Sequence, residues 1–399
     1  MIYGWIMFYF VGIKGSGMSA MAVLLKELGY EVKGSDIEDY VFTQDNLKEK
    51  CIDVLSYCID NLKEEYVYIL QCENDSIEAE YVKNNFKYYY YHEYLSILCS
   101  SFNSIAISGT HGKTTTTSMI SYLFPNANSL IGNSYAHGNP KSSLFIFEAC
   151  EYKDHFLNYF PSINIILNVD EDHIDYFKSK DRIVESFYQF SKQSNLCIFN
   201  GDDIALEGIS FGYDEDNDYV IKDNKIIHNN LEYEINIPFL SKGMAYDICA
   251  AFIVSEIYGI DFNKRIEGFK MPKRRFNEFM AYDNIFIDDY AHHPREIENV
   301  IEMCKSKYKK KPIIIFEPHQ YSRLYHFRRE FFNILKNYDT YVMRLYNARS
   351  NQTHNEDFFI KSPLKSIEDF DVRKYKNEII IFVSAKTSLE EFLKGLTLD

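Results

Sequence analysis

The sequence predicts an α/β protein of three domains: an N-terminal Rossmann-like domain, a central P-loop ATPase-type α/β domain with a small extra sheet, and a C-terminal Rossmann-like domain. Two observations carry this. An apolar strand runs into a tight turn and then a helical pattern three times, at the start of the chain, near Ser104 and near Ile285, which is the alternation of parallel sheets covered by helices. A chain of 399 residues also exceeds one ordinary core, since domains run to roughly 100–200 residues. The expected boundaries are residues 1–103, 104–271 and 272–399.

The first element is the apolar run Met1 to Val11. It has no basic leader and no small-residue cleavage site, and it passes straight into a glycine turn, so it is read as a buried strand. The turn Gly12-Ile-Lys-Gly15-Ser16-Gly17 opens a helix from Met18 to Leu28, stopped by Gly29. A second strand from Glu31 delivers Asp36 about 20 residues past the turn, where a dinucleotide fold places its ribose contact. The glycine spacing differs from the usual fingerprint, so a ligand-binding turn and a structural one both stay open.

The second unit is more specific. Strand Ser104–Ser108 is followed by Gly109-Thr110-His111-Gly112-Lys113-Thr114-Thr115 and a helix through Leu123. Glycines let backbone N–H groups surround phosphate oxygens, the helix start adds its positive end, Lys113 neutralises terminal phosphates, and the Thr114 hydroxyl can ligate Mg²⁺. Ile107 stands where the strict P-loop pattern wants glycine, making this a shortened variant. Two further strands end in acidic clusters, Glu148-Ala-Cys-Glu151 and Asp170-Glu-Asp172-His173. The carboxyl ends of such strands line the ligand crevice, so both clusters are expected beside the phosphate loop. Thr114 and Glu148 supply hard oxygens for Mg²⁺, and His173 an imidazole for a second ion.

Alternating residues from Tyr219 to Pro238 predict the small antiparallel sheet, and a helix spans Met244 to Tyr258. The basic stretch Lys273-Arg274-Arg275 is either a solvated turn or a phosphate clamp. In the third unit, strand Ile285–Ile287 leads to Asp288-Asp289-Tyr290-Ala-His292-His293-Pro294. A helix follows, then a strand to Phe316 and the segment Pro318 to Arg323, with further strands near Thr340 and Ile379.

Composition narrows function. Forty-six per cent apolar and 25 per cent charged residues exclude disordered and fibrous classes. A net charge of −15 argues against a nucleic-acid partner, which clustered Lys and Arg would attract. Eight cysteines without C-x-x-C spacing fit reduced thiols in the cytoplasm rather than disulfides. No membrane partner is expected.

Taken in order, Gly12-Ile-Lys-Gly-Ser-Gly-Met18-Ser19, Ser108-Gly-Thr-His-Gly-Lys-Thr-Thr-Thr-Thr117, Glu148-Ala-Cys-Glu-Tyr152, Asp172-His-Ile-Asp175, Arg274-Arg-Phe276 and Asp288-Asp-Tyr-Ala-His-His-Pro294 resemble the Mur ligase family. The resemblance implies ATP and Mg²⁺ as cofactors. It further implies that the first domain binds a UDP-sugar and the last receives the amino acid. The member it resembles most joins L-alanine to the lactyl carboxylate of UDP-N-acetylmuramate; a monomer or weak homodimer is expected.

By motif position, Gly12, Gly15, Ser16, Gly17, Met18, Ser19 and Asp36 would contact the UDP-sugar, and His292, His293 and Arg323 would lie near substrate. Lys113 would hold the β- and γ-phosphates, and Thr114 with Glu148 one Mg²⁺. His173 would hold the second, and Arg275 and Asp289 would reach phosphate and nucleotide. Several positions depart from the family. Ala245, Tyr246 and Cys249 replace a histidine and two asparagines, Lys14 a small residue, Gln320 an arginine, and Ser384-Ala-Lys-Thr387 a Gly-Ala-Gly-Asp turn. Two alternatives stay open: a sibling ligase that adds a recycled peptide, and a family member that binds nucleotide or UDP-sugar without turnover.

Overall fold

The computed structural model describes residues 6–132, 135–172, 176–344 and 363–396. Its strands form three sheets. In the first, β1 (Met7–Val11), β2 (Glu31–Asp36), β3 (Asp53–Ser56), β4 (Tyr66–Leu70) and β5 (Tyr88–Tyr90) lie in the order 3-2-1-4-5. All its pairings are parallel, and the order is that of a Rossmann sheet without its sixth strand. Four of the five residues of β1 are fully buried, as a central strand covered on both faces requires. The helix Ser16–Glu27 that follows buries eight consecutive residues from Met18 to Leu25.

The second sheet contains β6 (Asn103–Ser108), β7 (Asn128–Ile131), β8 (Tyr135–His137), β9 (Leu144–Glu148), β10 (Ile163–Ile166), β11 (Leu196–Asn200), β12 (Ile209–Gly212), β13 (Tyr219–Lys222), β14 (Lys225–His228) and β15 (Leu231–Glu234). Their order is 15-14-13-12-11-10-6-9-7-8. The strands expected as a small extra sheet therefore continue the edge of the central one. Here β12 pairs with β13 in parallel and β13 with β14 antiparallel. Strand β6 runs between β10 and β9, parallel to both, so its C-terminal end lies between theirs.

The third sheet has β16 (Asn277–Ala281), β17 (Asn284–Asp289), β18 (Ile313–Phe316), β19 (Asp339–Val342), β20 (Lys365–Ser366) and β21 (Ile379–Val383), in the order 16-17-21-18-19-20. The β16–β17 hairpin is antiparallel and the remaining pairings are parallel.

By internal contacts the chain forms two compact units. One holds Met1–Glu171, Ser179–Tyr233 and Cys249–Glu267, and so the first two sheets; the other holds Asp172–Lys178, Glu234–Ile248 and Gly268–Asp399. All eight cysteines are free thiols, and no helix among the described residues is long and apolar enough to cross a membrane.

Candidate functional site

The phosphate loop leaves the C-terminal end of β6. Gly109 has φ +134°, and a Cβ there would come 3.0 Å from Leu167 Cβ and 3.1 Å from the Asn168 amide nitrogen, so both backbone angle and space demand glycine. Gly112, at φ +86°, precedes the helix Lys113–Leu123, which has no side-chain cap. The first-turn amides are thereby left as donors for an anion. The loop is clamped from β10. Asn168 Oδ1 accepts from the His111 N–H at 2.8 Å, Asn168 Nδ2 donates to the His111 carbonyl at 2.9 Å, and Thr110 Oγ1 accepts from Asp170 N–H at 2.9 Å. His111 Nε2 lies 3.5 Å from Asp170 Oδ2. The second acidic cluster thus shapes the loop.

Lys113 turns back over its own loop. Its Nζ donates to the carbonyls of Gly109 and Thr110 and to both Glu151 oxygens, at 3.0 and 3.2 Å. Burial alone would lower the ammonium pKa; Glu151, with Cys150 and Glu148, outweighs it and raises the pKa above the usual lysine value, so Lys113 stays charged. Sequence reasoning placed Glu151 in an acidic cluster but missed its partnership. The three-residue spacing from Glu148 at a strand end was the available signal.

Thr114 and Glu148 come together. The Cβ position of Gly132 lies 3.0 Å from Thr114 Oγ1 and 2.7 and 3.0 Å from the Glu148 oxygens, and Glu148 Oε1 accepts from the Gly132 N–H at 2.6 Å. This hard, all-oxygen donor set fits Mg²⁺. His173, expected to hold a second ion, lies outside the described residues. Tyr91 is a further neighbour that the sequence did not single out. It comes 2.9 Å from the Gly17 Cβ position, and burial, then the Glu148 charge, raises its phenol pKa.

In the first sheet, Gly12 adopts φ +85° and Gly15 is the residue before the helix Ser16–Glu27. A cavity of about 640 Å³ opens beside them, lined by Lys14, Gly15, Asp36, Tyr57, Gln71 and Asn74 among others. Asp36 faces it, with Oδ2 accepting from Lys14 N–H at 2.6 Å and Oδ1 from Ile37 N–H at 2.8 Å. The departure at Lys14 has a structural explanation. Its ammonium donates to the carbonyls of Ile37 and Asp39 at 2.7 and 2.8 Å, tying the glycine turn to the segment after β2. Met18 and Ser19, expected beside the UDP-sugar, lie on the inner face of the helix start. Met18 is buried, and so is Ser19, whose hydroxyl donates to the Ser16 carbonyl at 3.1 Å. Ser16 is exposed. Behind the turn, fully buried Glu78 accepts from Tyr9, Ser35, the Cys58 N–H and Asn61.

In the second unit several expected contact residues also have partners within the protein. His293 is buried and caps the helix Pro294–Tyr308, with Glu296 completing the capping box. Glu296 Oε2 also accepts from the His292 N–H at 2.9 Å. His292 Nδ1 lies 3.0 Å from the Tyr290 carbonyl, and burial lowers its pKa despite Glu296. Buried Arg323 directs Nε and Nη2 to Asp172 Oδ1 at 3.2 and 2.8 Å, so its guanidinium is engaged within the protein.

Asp289 accepts from Phe276 and Ala291 N–H at 2.7 and 2.8 Å. Burial, opposed by Arg275, pushes its pKa up to about 6. Arg274 donates to the carbonyls of Ser384 and Thr387, while the Arg275 guanidinium stands 5.5 Å from the Tyr290 ring. The Ser384–Thr387 turn is held by buried Glu317, which accepts from both hydroxyls and the Thr387 N–H. Gln320 has φ +64°, a strained backbone for a non-glycine residue. Ala245 and Cys249 are fully buried, and Asp247 is buried beside them.

Comparison with known proteins matches residues 7–103 to the Mur ligase family catalytic domain and residues 107–255 to the Mur ligase middle domain. A UDP-N-acetylmuramate–L-alanine ligase of Streptococcus thermophilus is 32% identical over 98% of both chains. In fold, the chain is similar to a UDP-N-acetylmuramate–alanine ligase from Thermotoga maritima (TM-score 0.78, 21% identity, 99% of this chain and 100% of that one). It is also similar to a murein peptide ligase from Psychrobacter arcticus (TM-score 0.70, 19% identity, 98% of each).

Proposed function

The chain belongs to the Mur ligase family of ATP-dependent ligases, and we propose that it joins L-alanine to the lactyl carboxylate of UDP-N-acetylmuramate in cytoplasmic peptidoglycan precursor synthesis. The observation that carries the reading is the phosphate loop. Its backbone is fixed by Asn168, and Lys113, Thr114 and Glu148 gather where the paired strands β6 and β9 end. Full-length similarity to a relative of that name supports the choice of substrates.

A carboxylate resists attack by an amine until one oxygen becomes a leaving group. The γ-phosphoryl of ATP moves to the lactyl carboxylate, releasing ADP. The alanine amine then adds to the acyl-phosphate carbonyl, and the tetrahedral intermediate expels inorganic phosphate as the amine nitrogen loses its proton. Such chemistry is accelerated chiefly by positioning and charge neutralisation. In this reading the loop amides and Lys113 hold the β- and γ-phosphates, with Lys113 exchanging Glu151 for phosphate oxygen. Thr114 and Glu148 would hold a Mg²⁺, which when bound screens phosphate charge.

Residues 1–103 bind the UDP-sugar through the glycine turn and the cavity beside Asp36, residues 104–271 bind ATP, and Arg275 in residues 272–399 acts on phosphate. The non-catalytic alternative is motivated by Ala245 and Cys249, which are buried and offer a nucleotide no polar group. The discriminating assay compares L-alanine with a tripeptide as amine at equal ATP and UDP-N-acetylmuramate. Alanine-dependent ADP formation supports the proposal, tripeptide preference replaces it with the recycling reaction, and no turnover with either favours a binding protein.

A further inference from the structure

Away from the phosphate loop, Cys72, His92 and His155 converge. Cys72 follows β4 by two residues, His92 is the second residue of the helix Tyr91–Ser101, and His155 lies in the short helical turn Tyr152–Asn158 after β9. One ligand atom from each lies within 4.8 Å of the others, and Cys72 Sγ is 3.4 Å from His92 Nδ1. We propose that these three side chains form a binding site for a borderline-soft divalent transition metal, Zn²⁺ in the first instance, with water in the fourth position.

The distances suit the chemistry. Zn–S of about 2.3 Å and Zn–N of about 2.0–2.1 Å in a tetrahedral site put sulfur and nitrogen roughly 3.5 Å apart. Thiolate with two imidazoles is a set that selects zinc over Mg²⁺ or Ca²⁺. Both imidazoles are held in the neutral, ligating form. Burial lowers the pKa of His92, and burial, then His92 and Lys153, brings His155 down to about 4. Burial raises the Cys72 thiol, so binding releases its proton to solvent and tightens as pH rises.

One adjustment is required. His92 and His155 stack with centroids 4.1 Å apart and planes 5° from parallel, and parallel rings keep their nitrogen lone pairs in separate parallel planes. His155, half-buried on a short turn, tilts out of the stack to close on the ion. The ligands come from the first sheet, the following helix and the second sheet, so an ion there cross-links two sheets of one unit. Cys72 also sits between Gln71 and Glu73, which line the 640 Å³ cavity, so occupancy stiffens the rim of that cavity.

The test titrates the metal-free full chain with Co²⁺ in a thiol-free reductant without Mg²⁺. The expected result is a thiolate-to-cobalt charge-transfer band that corresponds to one site per chain and is bleached by Zn²⁺. Oxygen-only ligation at Thr114 and Glu148 gives no such band. Cys72→Ser removes the band with circular dichroism unchanged, and exposed Cys58→Ser keeps it. His92→Gln and His155→Gln each weaken binding at least ~100-fold, beyond the ~10–100-fold typical of losing an outer-shell partner. If the histidine variants fail to fold, Cys72→Ser decides alone. No thiolate band in the parent protein, a band surviving Cys72→Ser, or unchanged affinity in both folded histidine variants overturns the proposal.

Discussion

Replacing Glu151 by glutamine separates what holds the phosphate loop together from what turns substrate over. The Lys113–Glu151 contact is 3.0 Å, with side-chain exposures of 16% and 3%. At an effective dielectric of about 20, two charges at that distance attract by roughly 5–6 kcal/mol before desolvation is counted. Removing one partner of a buried pair costs about 3–5 kcal/mol. The carbonyls of Gly109 and Thr110 remain to receive the ammonium, which places the expected loss near ~2–3 kcal/mol. For domains of this size that lowers Tm by roughly 5–10 °C. The same change frees Lys113 for phosphate, so KM for ATP stays within a few-fold or falls, whereas Lys113→Ala abolishes turnover. Thermal melts of Glu151→Gln, Lys113→Met and the double variant, with ATP kinetics of the first, read both effects. Additive melting changes, with no coupling between the two sites, would refute the pairing. Loss of turnover as complete as in Lys113→Ala would make Glu151 part of the chemistry.

Three further outcomes follow from the geometry. Gly109→Ala forces a side chain into φ +134° against Leu167 and Asn168; it should cost about 1–3 kcal/mol and remove ATP binding, measured by melting and nucleotide titration. Asp172→Asn leaves the buried Arg323 guanidinium without its charge partner and should lose roughly 3–5 kcal/mol in denaturant unfolding. The pKa of Asp289 near 6, raised from its unfolded value of 3.8, means the folded state binds the extra proton. Its contribution is fully present below about pH 4 and is lost as pH rises through 6, about 1.4 kcal/mol per pKa unit. The stability of Asp289→Asn relative to the parent should therefore increase between pH 4 and 6, and a difference flat across that window would contradict the assignment.

What could be read from sequence was local. The strand, glycines and helix start of the phosphate loop are adjacent in the chain, and Gly109 and Gly112 each take a positive φ. The three-sheet α/β plan followed from strand–turn–helix recurrence. Contacts made by sheet neighbours were not legible: Glu151 meets Lys113 because β9 pairs with β6, and Arg323 meets Asp172 across 151 residues. Other placements had signals in the chain. Pro294 at the helix start with Glu296 two residues on marks His293 as a cap. The apolar run after Gly17 already turned Met18 inward. The first-domain Lys14 looked like a lost small residue, and only the fold reveals carbonyls within reach of its ammonium.

The most direct test of the account is phosphate release from ATP by the purified protein with UDP-N-acetylmuramate and L-alanine together, then with each left out. The account predicts release that requires both substrates and vanishes in Lys113→Ala. Release that ignores either substrate, or that survives loss of the Lys113 ammonium, would contradict it.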